Sequence, residues 1–328
     1  MQTTGIHHVT AVAGDPEANL AFYTEVLGLR FVKRTVNFDD TTTYHLYYGD
    51  ETGTPGTALT FFPFDGGRAG RPGRGQAVAT AFAVPEGSLD YWADRLTDAD
   101  ATVEGRHTRF GADVLSFTDP DGQPLELVAA DSPIDPWPGG PVPEEYGLRG
   151  FVGVTLHSGD PEATANVLGR LGFTRVGSTT EPDDGADRVR FTAEGDHATV
   201  VDVIHRGPPR GRPGVGTVHH VAFRVPDEDT QLAWRDERKD AGQFVTPQTD
   251  RQYFRSIYFR GPGGILFEIA TDGPGFTIDE PAAELGSELK LPAWLEDERD
   301  QIEASLPSLA AETGPATTPA TMDGGAGE

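Results

Sequence analysis

The chain has 328 residues, enough for two cores, and no cysteine, which excludes a disulfide framework and any thiolate metal site. Its formal net charge of −26 excludes nucleic acid as a partner, because phosphate binding needs a basic patch. Lysine occurs only at Lys33, Lys239 and Lys290, and scattered carboxylates with so little lysine fit a halophilic protein kept soluble in a salt-rich cytoplasm.

The first residues carry no basic segment leading into an apolar run, and no stretch resembles a spanning helix, so a cytoplasmic location without a membrane partner is expected. GIHHVTAVA (5–13) reads as a short alternating strand, and Gly-Asp-Pro then opens a helix with Asp15 as N-cap and Pro16 at the first helical position. Leu20, Tyr23, Val26 and Leu27 share one helical face, and Gly28 stops it. Strands follow at RFVKRTVNF, YHLYYGD and TALTFF, giving a βαβββ unit.

The same order of elements returns three times. VATAFAVPEGSLDYWADRL (78–96) opens a second unit that closes on DPDGQPLELVA. GFVGVTLHSGDPEATANVLGRLGF (150–173) repeats the opening, with Asp160 and Pro161 in the places of Asp15 and Pro16. HHVAFRVPDEDTQLAWRDE (219–237) opens the last unit, which closes on RGPGGILFEIA. The fold class is therefore α+β: four βαβββ modules near 5–64, 77–129, 150–205 and 216–271, forming cupped mixed sheets. Residues 1–130 and 150–275 hold one pair of modules each, joined by a Pro/Gly-rich linker at 131–149. A C-terminal extension, 276–310, carries a helix in LPAWLEDERDQIEASLP (291–307), and a disordered tail is expected at 311–328.

Two of the modules begin with a histidine doublet, His7-His8 and His219-His220, which together make four of the nine histidines. Successive strand residues point to opposite faces, so only one imidazole of each doublet enters a common cup. His219 shares its parity with the apolar Val221, Phe223 and Val225, which leaves His220 facing inward, and register between repeats then selects His8. Glu268 alternates against Phe267 and Ile269 in the closing strand and faces inward too. Two neutral imidazoles and one carboxylate hold a divalent metal on one face and leave its other positions open. The remaining modules carry Ala79 and Gly153 at the histidine positions, and Glu126 stands without histidine company. Phe61 is expected where a fourth ligand would stand.

GIHHVT, RFVKRTVNFDD, YHLYYGDETGTPGT, TRFG (108–111), HHVAF and YFRSIYFRGPGGILFEIATDGPGF together resemble the vicinal oxygen chelate (glyoxalase/bleomycin resistance/dioxygenase) superfamily, and within it the ring-cleaving dioxygenases that act on hydroquinones. The similarity runs from residue 1 to about 307. It implies two domains of the vicinal-oxygen-chelate type, with modules one and four sharing the metal-bearing barrel. It further implies Fe(II), or Mn(II), at His8, His220 and Glu268, and a small aromatic diol and O2 as reactants. His7, Thr10, His219, Arg251 and Tyr258 fall at the family's surrounding catalytic positions: His219 or His7 to shuttle protons, Arg251 to stabilise negative charge, Tyr258 to donate a hydrogen bond. Two other readings share the same cup: a glyoxalase-like metal-dependent isomerase, which uses four protein ligands, and a non-catalytic protein sequestering a small aromatic. A homo-oligomer is compatible with all three.

Overall fold

The computed structural model describes residues 2–180, 185–205 and 209–309, so the tail expected at 311–328 lies outside the described residues. Module one runs β1 (Ile6–Ala13), α1 (Pro16–Ala21), β2 (Arg30–Asn37), β3 (Asp40–Gly49) and β4 (Ala58–Pro63). Module two runs β5 (Gln76–Val84), α2 (Leu89–Asp98), β6 (Thr102–Arg109), β7 (Ala112–Thr118) and β8 (Pro124–Ala129). Module three follows with β9 (Phe151–His157), α3 (Pro161–Arg170), β10 (Thr174–Thr180), β11 (Asp187–Thr192) and β12 (Val200–His205). Module four is β13 (Thr217–Val225), α4 (Glu228–Asp240), β14 (Thr249–Asp250), β15 (Phe254–Arg260) and β16 (Leu266–Pro274).

These strands build two curled, eight-stranded mixed sheets. The first has the order β14-β15-β16-β13-β1-β4-β3-β2, the second β10-β11-β12-β9-β5-β8-β7-β6. Modules four and one thus share one sheet, modules three and two the other, and each half of the chain contributes to both. In each sheet the first strands of two modules meet antiparallel, β1 on β13 and β5 on β9. The connectors between modules run alongside each other, with bridges Ala69–Val215, Arg71–Arg212 and Arg74–Arg210.

One apolar cluster runs through the molecule on the helix-facing side of both sheets, including Val9, Leu59, Phe61, Phe82, Trp92, Phe223 and Phe267. Asp15 caps α1 by accepting from the Glu17 and Ala18 amides, and Asp160 caps α3 through Ala163. A π-helical turn, Phe22–Val26, extends α1, with Leu27 N–H bonded to Phe22 O at 3.0 Å. This keeps Tyr23 and Leu27 buried, and Gly28 ends the segment at φ +69°.

Residues 131–149 are irregular yet packed: Val142 and Leu148 are buried, and Tyr146 stacks on Tyr91 at 4.2 Å. The extension grips the first sheet through buried Lys33, which pairs with Asp279 at 2.6 Å and with Glu280. Its helix α5 covers only Arg299–Ser305, after a 3-10 turn at Glu296–Glu298, and is shorter than the expected 291–307. Leu291 is instead held in an irregular stretch, packed against Val36 and Ile302.

The second sheet closes the cup that the first leaves open. β5 pairs Ala81 with Glu126 and β9 pairs Thr155 with Asp202, which puts two buried carboxylates where repeat symmetry would place ligands. Arg109 meets Glu126 at 2.7 Å, and Asp202 takes Arg188 at 3.0 Å and Arg190 at 2.8 Å. Guanidinium groups fill the space, and only about 20 Å³ remains. Arg109→Ala strands a buried carboxylate, so we expect a loss of about 3–5 kcal/mol in chemical denaturation.

Candidate metal centre

Strict alternation would turn His7 and His219 away from the cup, but the strand pairing departs from it at both. Ile6 pairs with Phe223 and His8 with Ala222, so His7 is an extra residue on β1. Thr10 pairs with His220 and Ala11 with Val218, so His219 is an extra residue on β13. Each doublet is therefore a β-bulge, which bends the strand and re-aims its side chains. His7 Nδ1 comes to 2.9 Å from His8 Nδ1, and His219 Nδ1 to 2.8 Å from His220 Nδ1.

The opposite ring nitrogens converge. His8 Nε2 is 3.2 Å from His220 Nε2, and Glu268 Oε2 is 3.5 Å and 2.9 Å from these two nitrogens. Among the described residues, His8, His220 and Glu268 form the one cluster of metal-ligating side chains, and all three are buried. Ser256 donates to Glu268 Oε1, while buried Oε2 has no well-aligned hydrogen bond. An acceptor left bare at the meeting point of two imidazoles is what a cation satisfies, so the donor set fits a divalent ion.

Ligation through Nε2 requires Nδ1–H on His8 and His220. These protons then have one recipient each, the Nδ1 atoms of His7 and His219. Such ligation would fix His7 and His219 as Nε2–H tautomers. His7 is buried, and its Nε2 has no hydrogen-bond partner among the described residues.

Burial drives His7 and His220 below the usual imidazole range, favouring the neutral rings that ligation needs. Burial alone would raise Glu268, but His8 and His220 hold it well below the usual carboxylate range, so it is ionised. Burial and the Arg260 charge also lower His219, although its ring opens to solvent and that contact limits the effect.

A cavity of about 500 Å³ opens over the triad, within the range of small-molecule sites. His219, Arg251 and Tyr258 line it beside His8, His220 and Glu268, as do Phe38, Phe62 and Phe254. His7 and Thr10 are buried outside that lining. Arg251 is tethered to Asp39 Oδ2 at 2.8 Å and to the Tyr258 hydroxyl at 3.3 Å. Burial, then the Glu268 charge, push Tyr258 upward, so its phenol keeps its proton.

The register corrects the place of the fourth ligand. β1 pairs Thr10 with Thr60 as β13 pairs Ala222 with Glu268, so Thr60 stands there, not Phe61. Phe61 points to the core, 4.6 Å from the Tyr23 ring. Thr60 Oγ1 is 2.8 Å from Thr10 Oγ1 and 2.9 Å from His45 Nε2, and His45 Nδ1 meets the Tyr47 hydroxyl at 2.8 Å. His45 and Tyr47 line the cavity and, like Ser256 and Asp39, were not among the expected residues. The repeat held the signal. Tyr47 pairs with Thr60 as Tyr258 pairs with Glu268, so Tyr47 matches Tyr258, and His45 matches Ser256 two residues before.

The family model for the Glyoxalase/Bleomycin resistance protein/Dioxygenase superfamily matches residues 5–127 and 150–269. The "Putative ring-cleaving dioxygenase MhqE" of Bacillus subtilis (strain 168) is 46% identical over 311 residues, covering 94% of this chain and 100% of that protein. The "Chlorohydroquinone/hydroquinone 1,2-dioxygenase" of Sphingobium indicum is 37% identical, covering 91% of this chain and 94% of that protein. A crystal structure of a Bacillus subtilis "putative dioxygenase" superposes with a TM-score of 0.89 at 44% identity, covering 94% of this chain and 98% of that one. With both halves of its chain matched and its two sheets built from the same repeated module, the protein belongs to the Glyoxalase/Bleomycin resistance protein/Dioxygenase superfamily.

Proposed function

We propose that the protein is a ring-cleaving dioxygenase that takes a hydroquinone or related dihydroxylated aromatic ring and O2. Fe(II) is the proposed ion at His8, His220 and Glu268, with Mn(II) sharing the same ligand preferences. The observation that carries the reading is a three-ligand, buried His-His-Glu cluster at the base of an aromatic-lined cavity, with Thr60 rather than a carboxylate in the fourth place. That absence also weighs against a four-ligand isomerase. The names of the relatives point the same way.

The metal, when bound, supplies positive charge that favours the deprotonated ring hydroxyl, and open positions for both reactants. Ring cleavage breaks the bond between a hydroxylated carbon and its neighbour. The hydroxylated carbon becomes a carboxylic acid, the neighbour an aldehyde, and the ring supplies the electrons that reduce O2 as both oxygen atoms enter the product.

Phe38, Phe62 and Phe254 confine the ring and exclude water. Arg251, fixed by Asp39 and Tyr258, holds a permanent positive charge toward developing oxygen charge, and Tyr258 donates a hydrogen bond there. His219 presents its Nε2–H to the bound ring, whereas buried His7 orients His8 rather than carrying protons.

Arg251→Met is expected to lower kcat/KM about 100-fold with metal content unchanged, read by oxygen-electrode kinetics beside metal analysis. An oxygen-electrode assay of iron-reconstituted protein against hydroquinones and catechols, run in high salt, tests the proposal. Uptake with a hydroquinone supports it, and iron-loaded protein that consumes no O2 with any of them removes it. A cytoplasmic, salt-rich working environment belongs to the same proposal and rests on the net charge of −26.

A further inference from the structure

Behind His219 and His220 lies a second cavity of about 400 Å³, which shares these two residues, Val12 and Leu266 with the ring cavity. Its charged lining is all of one sign: Arg74, Arg210 and Arg260, with no aspartate or glutamate among the described residues. The chain has 52 acidic and 26 basic residues, so such a wall runs against its composition. Arg251, Arg224 and Arg255 pair with Asp39, Asp272 and Glu228, whereas Arg71 and Arg212 on the connectors donate to the Arg210 and Ala69 carbonyls. Arg74, Arg210 and Arg260 have no carboxylate partner among the described residues, and Arg260 donates only to the Gly264 carbonyl at 3.0 Å.

The wall is built rather than loose. Arg74 and Arg210 sit on the two paired connectors, with Gly211 N–H bonded to Arg74 O at 2.9 Å. Gln76 folds over Gly211, where a Cβ would fall 2.0 Å from Gln76 Oε1. Gln76 lines the cavity, is only 8% exposed, and its Oε1 has no hydrogen-bond partner. Its carbonyl oxygen is thus a buried acceptor left without a donor at the cavity wall.

We infer that this cavity is a carboxylate subsite adjoining the ring site, with Arg74, Arg210 and Arg260 as its cationic wall and Gln76 Oε1 as an acceptor for a hydroxyl of the same ligand. The inference deepens the ring-cleavage reading and rests on it for the ligand's identity. Guanidinium groups suit carboxylates through paired N–H donors. The carboxylate has two sources: a substituent on the aromatic ring, or the acid group that cleavage creates from a neutral diol.

Anaerobic isothermal titration of the full, metal-loaded chain tests this with three probes: trans,trans-muconate as a product-like dianion, 2,5-dihydroxybenzoate as a carboxylated hydroquinone, and the neutral dimethyl muconate. Arg74→Gln/Arg210→Gln is expected to weaken at least one of the two anions by about tenfold or more, leaving dimethyl muconate unchanged. Both residues are at least partly solvent-facing, and circular dichroism confirms the fold. Loss confined to muconate assigns the subsite to the product, loss confined to 2,5-dihydroxybenzoate assigns it to a ring substituent, and loss of both assigns it to either.

Anions that bind the double variant within twofold of the unaltered protein, or that fail to bind the unaltered protein at millimolar concentration, overturn the subsite. Arginine-dependent anion binding in a protein without O2 uptake would instead sink ring cleavage and leave the subsite standing.

Discussion

Glu268→Ala is expected to give a folded protein that retains no stoichiometric divalent metal and whose O2 uptake with hydroquinone is lower by more than about 1000-fold. Two neutral imidazoles alone supply no charge to offset the ion's dehydration, and Glu268 is the only carboxylate in the cluster. In the metal-free protein the change removes a buried charge along with the acceptor of Ser256, so stability shifts little. The difference appears on adding metal. Fe(II) or Mn(II) at about 100 times its dissociation constant is expected to stabilise the unaltered protein by about 2.7 kcal/mol and to raise its Tm. The Glu268→Ala protein shows no such rise in anaerobic thermal melts. A metal-dependent Tm shift that survives the substitution would place the ion elsewhere.

The two outer histidines separate under substitution. His7→Leu is expected to cost about 10–100-fold in metal affinity, because the His8 Nδ1–H is left buried without an acceptor. His7→Asn recovers part of the loss, since its amide oxygen accepts that proton. His219→Ala opens the His220 Nδ1–H to the cavity, where water replaces the lost acceptor, so metal affinity falls less than about tenfold. Its larger effect is on kcat, through the missing donor beside the ring. Competitive metal titration beside steady-state O2 kinetics reads both quantities. Equal effects of the two substitutions on affinity and turnover would contradict the division of labour.

The sequence exposed the repeat, and the repeat exposed the triad. Four openings of the same kind, two bearing doublets, and one glutamate in a closing strand sufficed to select His8, His220 and Glu268. Parity failed at His7 and His219 because it assumes an unbroken ladder. A bulge inserts one residue and breaks the alternation just where it matters, and neither doublet announces a bulge in its composition. Phe61 was misplaced by one position for a related reason. TALTFF offers two phenylalanines after a threonine, and only the pairing of β1 with β4 shows that Thr60 faces the cup. His45 and Ser256 were reachable by carrying Tyr258 back to Tyr47 across the repeat. The arginine wall was not legible. Arg74, Arg210 and Arg260 come from separate segments that only the sheet topology brings together.

If His8, His220 and Glu268 serve a dioxygenation that opens the ring, both atoms of one O2 molecule end in one product molecule. Turnover of a hydroquinone under ¹⁸O2, followed by mass spectrometry of the product, tests it most directly. Both labelled atoms are expected in one product molecule, one in the acid and one in the aldehyde, once rapid analysis limits exchange of the aldehyde oxygen with water. Ring-opened product without label from O2, or a consumed substrate whose ring is intact, would contradict it.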